Sequence, residues 1–248
     1  MSLVWAHSVL LWAIGTYSSR DPLVDEELRA RRHWYWWVAG RSVATAGIIL
    51  FLSSSIPLAL VLFAFSIAVP LGRLRVPVRY CAEWEVVTAI GFAGLTLFVA
   101  TRVPLEMGNA VVRLPVADNR IAVACVVAAL ALFTIHGGTY LVRGLLTKSG
   151  AVPMTPRVED STDRTIDVKE YNRGRLIGAL ERVLLFAVVI AGSYEALGFI
   201  VAAKGLVRSR EFEQNRDMTE YFLIGSLASV LVALATGSIA RYLIGAYW

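Results

Sequence analysis

The sequence predicts an all-α fold: a polytopic transmembrane helical bundle with six to seven membrane segments, one of them broken or re-entrant. Of the 248 residues, 57% are hydrophobic, and the mean hydropathy is +0.62, which is typical of an integral membrane protein. Because a helix needs roughly 20 apolar residues to cross a bilayer, charge-free runs mark candidate spans. Strand-type alternation does not occur in these runs, which favours helices over a closed barrel. The runs cover residues 1–19, 42–72, 121–142 and 221–240.

Five helices are predicted in an N-terminal membrane half, residues 1–145. The first run lacks the basic start of a signal peptide, so we interpret it as a retained helix. The long run at 42–72 divides before Pro57, because proline at a helix start follows a turn. Pro70 and Gly72 are predicted to end the helix that follows. The five predicted helices cover residues 2–17, 34–52, 56–71, 82–101 and 120–142.

A polar linker at 146–175 is predicted to join this half to a C-terminal half at 176–248. A straight span over 176–206 would carry the arginines that follow it to the face opposite the other basic loops. A break near Gly192, with Ser193 as the N-cap of the second part, keeps these arginines on one face. One long tilted helix is the alternative. The last span is predicted at about 219–240.

Basic residues predict the orientation of the chain. The 24 Lys and Arg residues exceed the 19 Asp and Glu residues, which gives a net charge of +5. Most of the basic residues lie in loops 18–33 and 72–79 and in the linker, so these segments are predicted to be cytoplasmic in a multi-pass protein of the inner (plasma) membrane. The expected partners are the lipid bilayer and either a second copy in a homo-oligomer or a membrane-complex partner, since small residues in the last helices permit close helix contact. Nucleic acid is not an expected partner.

A series of motifs covers residues 137–230. It runs from a double glycine at a helix end, through a polar linker, to IGALERVL, ALGFIVAAK and EYFLIG. The residues that carry it are Gly137–Gly138, Ile177–Leu184, Gly192, Ala196–Lys204 and Glu220–Ser229. The series resembles a family of uncharacterised bacterial membrane proteins known as a domain of unknown function. The resemblance implies membrane class and directs attention to the same charged residues, and it implies no particular activity.

Four charged residues in or beside apolar runs form the predicted polar network: Glu181, Arg182, Glu195 and Lys204. Each ionised group at bilayer depth costs ~3 kcal/mol on insertion scales, so we expect these groups to be paired, hydrated or used. The first two are sequence neighbours that point about 100° apart on a helix, so each needs its own partner in the bundle or a place at the interface. Lys204 either snorkels or meets Glu181 or Glu195. Glu195 is either a helix cap or part of an ion site at the break.

Three further residues are secondary candidates. Glu220 and Tyr221 open the last predicted helix, where an acid also interacts favourably with the helix dipole. Arg41 lies about two turns inside the second predicted helix, where snorkelling and a site are both open. Glu83 and Glu85 open the fourth predicted helix, and Arg79 lies one turn before Glu83, so an interfacial pair is the interpretation there.

Three functions are considered. The first is a small channel or ion-coupled transport protein whose polar path includes the four charged residues. The second is a non-catalytic scaffold or partner subunit that assembles through its helices and the basic linker. An enzyme is the least favoured, because the sequence contains no nucleophile–base spacing. The three histidines share no metal-ligand spacing and no phosphate-loop motif occurs, so no metal and no cofactor are expected.

Overall fold

The regular structure of the described residues is helical throughout. A computed structural model of the chain describes residues 3–17, 32–53, 55–102, 118–150, 168–212 and 216–247. A 3₁₀ turn at Val78–Tyr80 precedes α4, and a π-helical segment at Phe133–Gly137 joins α5 to α6. The helices are α1 (Leu3–Tyr17), α2 (Arg32–Ser53), α3 (Ile56–Arg75), α4 (Cys81–Arg102), α5 (Asp118–Leu132), α6 (Gly138–Ser149), α7 (Val168–Ala191), α8 (Tyr194–Phe212) and α9 (Arg216–Tyr247).

Four helical stretches are long and apolar enough to cross a membrane, by length and composition. They are Ile56–Arg75, Val78–Arg102, Asn119–Ser149 and Thr219–Tyr247. The all-α prediction is confirmed, and the apolar helices are compatible with an integral membrane protein. The full number of six to seven spans stays a prediction. Most of the first predicted loop and of the linker lies outside the described residues.

Contacts divide the chain into two compact units. The first comprises Met1–Pro77, Glu83–Phe133 and Tyr242–Trp248, and the second comprises Val78–Ala82 and Thr134–Arg241. The division therefore falls at the π-helical segment, whereas the predicted membrane halves meet at the linker.

The core of the first unit is built around α1. This helix packs against α5, α2 and α3. The Trp12 ring stacks on Phe92 of α4, with ring centroids 4.7 Å apart, beside the fully buried Leu58 and Leu62. Lipid tails are as apolar as these side chains, so close packing and hydrogen bonds, rather than exclusion from water, hold helices together in a bilayer.

Helix α3 runs further than predicted. We expected Pro70 and Gly72 to end it, but it continues to Arg75 with Pro70 in its interior. Proline removes one helical hydrogen bond without blocking the turns that follow, provided that tertiary contacts compensate. The compensation is at Arg73, which is buried and bonded to Glu85. The prediction that Arg73 lies in a basic loop after this helix is therefore wrong.

The predicted helix break is confirmed. Helix α7 ends at Ala191 and α8 begins at Tyr194. Helix α8 has 19 residues, and a re-entrant path for it stays a prediction.

Hydrogen bonds at the break explain its position. Gly192 has φ +73°, the left-handed conformation that glycine adopts without strain. Its N–H donates to the Val189 carbonyl and the Ser193 N–H donates to the Val188 carbonyl, the paired bonds of a Schellman motif. The Ser193 carbonyl then accepts the first hydrogen bond of α8, from Leu197, which places Ser193 at the predicted N-cap position.

Replacing Gly192 by alanine is expected to destabilise the second unit. A side chain would be strained at this φ, and its Cβ would overlap the guanidinium of Arg241. The conformational part alone costs about 1–2 kcal/mol. Gly150→Ala is the matched control, because Gly150 has φ +72° and open space around it. Thermal unfolding in detergent should show a larger loss for Gly192→Ala than for Gly150→Ala. Equal losses would mean that Arg241 does not constrain the break.

Candidate functional site

Arg182 is held by hydrogen bonds inside the second unit and is 3% exposed. Its Nε donates to the Thr134 carbonyl at 2.8 Å, and its Nη2 donates to the Ile135 carbonyl at 2.9 Å and to the Thr139 hydroxyl at 2.6 Å. Nη1 lies 3.5 Å from the Ser229 hydroxyl. Within the described residues no carboxylate hydrogen-bonds this guanidinium, whose bonds go to backbone and hydroxyl oxygens, and the neighbouring Glu181 acts on its charge only through space.

The π-helical segment supplies the acceptors for Arg182. Widened turns of this kind interrupt the regular α-helical ladder and often occur at functional sites. Thr134 and Ile135 lie in that segment, and their carbonyls accept from Arg182 of α7. Gly138 follows the segment and lets Arg182 approach, because a Cβ there would stand 2.9 Å from the arginine Cδ and Nε. The double glycine of the sequence pattern thus has a steric role at its second member.

Hydroxyl groups extend this cluster to α9. The Thr134 hydroxyl donates to the Thr236 hydroxyl at 2.7 Å, and the Thr236 hydroxyl also bonds the Val232 carbonyl of its own helix. With Ser229 near Arg182, polar groups from α7, the π-helical segment and α9 meet in one buried cluster. We call Arg182, Thr134, Thr139, Ser229 and Thr236 the arginine cluster.

An ion pair connects the two helices on either side of the break. The Lys204 Nζ of α8 donates to the Glu181 Oε2 of α7. The two side chains are 26% and 22% exposed, so the pair is only partly buried. The Lys204 Nζ also lies 5.1 Å from the ring centroid of Phe222 on α9, within cation–π range. Of the two alternatives for Lys204, the structure places it against Glu181.

The four predicted network residues do not form one network. Glu181 and Lys204 are paired, and Arg182 has separate partners, as expected of sequence neighbours on a helix. Glu195 is exposed in the first turn of α8. Within the described residues, no hydrogen bond or ion pair joins Glu195 to the other three.

The secondary candidates at the last helix lie apart from its first turn. Helix α9 begins at Arg216, about one turn earlier than predicted. Glu220 is exposed and Tyr221 is half-buried. An acid in the second turn interacts less strongly with the helix dipole than one in the first.

Arg41 borders an open groove on α2. The groove has a volume of about 590 Å³ and is lined by Trp36, Trp37, Gly40, Arg41 and Ala44. The two tryptophans are largely exposed, as expected of residues at a membrane interface. Arg41 is half-buried, and its positive charge is repelled by the positive charge of Arg73 on α3.

A buried ion pair in the first unit was missed by the sequence analysis. Arg73 of α3 binds Glu85 of α4 through two hydrogen bonds, Nε to Oε1 at 2.5 Å and Nη2 to Oε2 at 3.0 Å. Tyr17 of α1 donates its hydroxyl to the Glu85 Oε2 at 3.1 Å, and the Arg73 Cζ lies 5.3 Å from the Tyr17 ring centroid. Both ionised side chains are almost fully buried. Glu85 is therefore buried inside the first unit and is not part of the interfacial arrangement predicted at the start of this helix.

The buried and the partly exposed polar groups differ in their surroundings. The Arg73–Glu85 pair and the arginine cluster are buried and bonded within the protein, which suits a fixed connection between helices. The Glu181–Lys204 pair is partly exposed and lies between two helices. In the searched, described part of the chain, no group of three or more His, Cys, Asp or Glu residues is arranged to hold a metal ion.

Comparison of the chain with protein-family models, curated proteins and solved structures gives no match. The resemblance noted for residues 137–230 therefore stays a prediction. What the structure supports directly is an all-helical chain whose apolar helices are compatible with an integral membrane protein.

Proposed function

We propose that this chain is a multi-pass protein of the inner (plasma) membrane that acts as a small channel or ion-coupled transport protein, with the Glu181–Lys204 pair as its moving contact. The observation that carries the proposal is a partly exposed ion pair that bridges a broken helix. Many transporters place ion sites where a helix is interrupted, because backbone groups are freed there. Opening the pair would leave one carboxylate and one ammonium group unpaired between the two helices that meet at the break.

The arginine cluster supports the same proposal because it holds α7 in place. Arg182 directly follows Glu181 on α7, yet its guanidinium is bonded to the π-helical segment. Motion of α8 can therefore break the Glu181–Lys204 contact while α7 stays attached through Arg182. The basic loops face the cytoplasm in this proposal, in line with the charge distribution.

Ion flux into liposomes tests the proposal. The purified chain is reconstituted, and flux of protons, monovalent cations and monovalent anions is followed with voltage- and ion-sensitive dyes. Glu181→Gln and Lys204→Gln should each change the rate, because each leaves one ionised partner alone. The exchanged variant Glu181→Lys/Lys204→Glu should recover more of the wild-type rate than either single variant. Glu195→Gln is the control, since it neutralises an exposed acid of α8 without a partner in the network.

A second candidate function is a non-catalytic scaffold or partner subunit. It is favoured by large apolar side chains that α8 exposes, Phe199 and Leu206, each 75% exposed. Such side chains face either lipid or another helix. A wild-type protein that conducts none of the ions but forms a homo-oligomer of fixed size in nanodiscs would support this candidate and contradict transport.

A further inference from the structure

Two fully buried hydroxyls on helices of the first unit lack the local bond that several other buried hydroxyls there make. Ser8, Ser42 and Thr96 each donate to the carbonyl four residues earlier on their own helix. Thr16 of α1 and Ser66 of α3 are fully buried as well. Neither hydroxyl has a hydrogen-bond partner among the described protein atoms. Because buried polar groups nearly always make hydrogen bonds, we expect each of these hydroxyls to have a hydrogen-bond partner.

The two hydroxyls lie on α1 and α3, which pack against each other. The Ser66 Oγ lies 3.5 Å from the position that a Cβ on Gly15 would occupy, and Gly15 is the neighbour of Thr16. Gly15 therefore keeps space open between the helices. Trp12 lies one turn before Thr16 on the same face of α1, and its buried Nε1 also lacks a bonded partner in the described residues.

Pro70 leaves the backbone carbonyl of Ser66 without its usual helical donor. In a regular α-helix, the N–H of residue 70 would donate to the carbonyl of residue 66. Pro70 lies inside α3 and has no N–H, so the helix cannot supply the usual donor to the Ser66 carbonyl. Ser66 thus presents a hydroxyl and a carbonyl whose usual bonds are both missing from its helix.

The chemistry of these groups selects a small neutral ligand. The indole N–H is a donor, the carbonyl is an acceptor, and the two hydroxyls can do either. The Arg73 Nη1 lies 3.4 Å from the Thr16 carbonyl, and Glu85 neutralises Arg73, so no net charge near Thr16 selects an ion. A buried water needs two to four polar partners, and this interface offers that number. We propose that the α1–α3 interface contains an internal water site formed by Thr16, Ser66 and Trp12.

The direction of a stability change tests this site. If water bonds the Thr16 hydroxyl, Thr16→Val should lower the thermal unfolding midpoint of the full chain in detergent by about 2–4 °C, the shift expected for one lost hydrogen bond in a chain of this length. Thr96→Val is the matched control, because that buried hydroxyl bonds only its own helix. A dry site would give the opposite sign, since removing an unbonded buried hydroxyl stabilises. A midpoint for Thr16→Val that equals or exceeds that of Thr96→Val overturns the proposal.

Radiolytic hydroxyl labelling gives a second, independent readout. Radicals produced from a bound water oxidise the side chains beside it, even when bulk solvent cannot reach them. Trp12 and Tyr17 are 4% and 2% exposed, and both should be oxidised in the wild-type chain. Labelling of both should fall in the Thr16→Val/Ser66→Ala variant while labelling of exposed Trp36 is unchanged. Absence of labelling at Trp12 in the wild type would contradict the water site.

Discussion

Glu85→Gln is expected to destabilise the chain by about 3–5 kcal/mol, the usual effect of removing one partner from a buried ion pair. The change keeps the shape of the side chain but leaves the Arg73 guanidinium buried without its counter-charge. Tyr17 also loses the charged acceptor of its hydroxyl. The loss should appear as a lower unfolding midpoint in detergent. Glu83→Gln, two residues earlier on α4 at an exposed position, should change the midpoint far less.

The double variant Arg73→Met/Glu85→Leu tests whether the loss in Glu85→Gln comes from the unpaired charge of Arg73. Replacing both ions by apolar groups removes the desolvation cost together with the attraction, and such exchanges are often neutral or stabilising. We therefore expect the double variant to be more stable than Glu85→Gln. If instead the double variant loses as much stability as the single variants Arg73→Met and Glu85→Leu together, the two residues are not coupled. The hydrogen bonds between Arg73 and Glu85 would then contribute little to stability.

Local sequence patterns predicted the helices and the break because both depend on neighbouring residues. Charge-free runs indicate apolar helices by composition, and four of these helices are long enough to span a membrane. The break was predictable because Gly192 and Ser193 are residues whose backbone and capping preferences act within one turn. The end of α3 was predicted wrongly, because the buried contact of Arg73 outweighs the local effects of Pro70 and Gly72.

Partners of the charged residues were harder to predict because they lie on different helices. Arg73 and Glu85 are separated by a turn and a change of helix, so no i, i+4 spacing connects them. No periodicity in the sequence marks the π-helical segment. The adjacent glycines indicated only that another helix could approach closely there. The pairing of Lys204 with Glu181 was one of two predicted alternatives, whereas the exposure of Glu195 follows from the rotation of α8, which its sequence does not specify.

Arg182→Met is expected to cost about 2–6 kcal/mol, because it removes the guanidinium donors of the Thr134 and Ile135 carbonyls, at about 1–3 kcal/mol each. Arg182→Lys should lose less, since an ammonium keeps the charge but cannot reach all of these acceptors at once. Equilibrium unfolding in detergent measures both losses. The control Arg102→Met removes an exposed arginine and should stay within about 0.5 kcal/mol of wild type.

Gly138→Ala tests whether Arg182 is what the glycine accommodates. In the wild-type background the new Cβ would stand 2.9 Å from the Arg182 Cδ and Nε and 3.3 Å from the Val232 Cγ1, so the guanidinium must move away from its carbonyls. In an Arg182→Met background those carbonyls are already without donors, and the flexible methionine can yield to the methyl group. The cost of Gly138→Ala should therefore be smaller in the Arg182→Met chain than in the wild type, which is a coupling between contacting residues. An equal cost in both backgrounds would show that the glycine serves the backbone of α6 and not the arginine, and the steric account of the double glycine would fail.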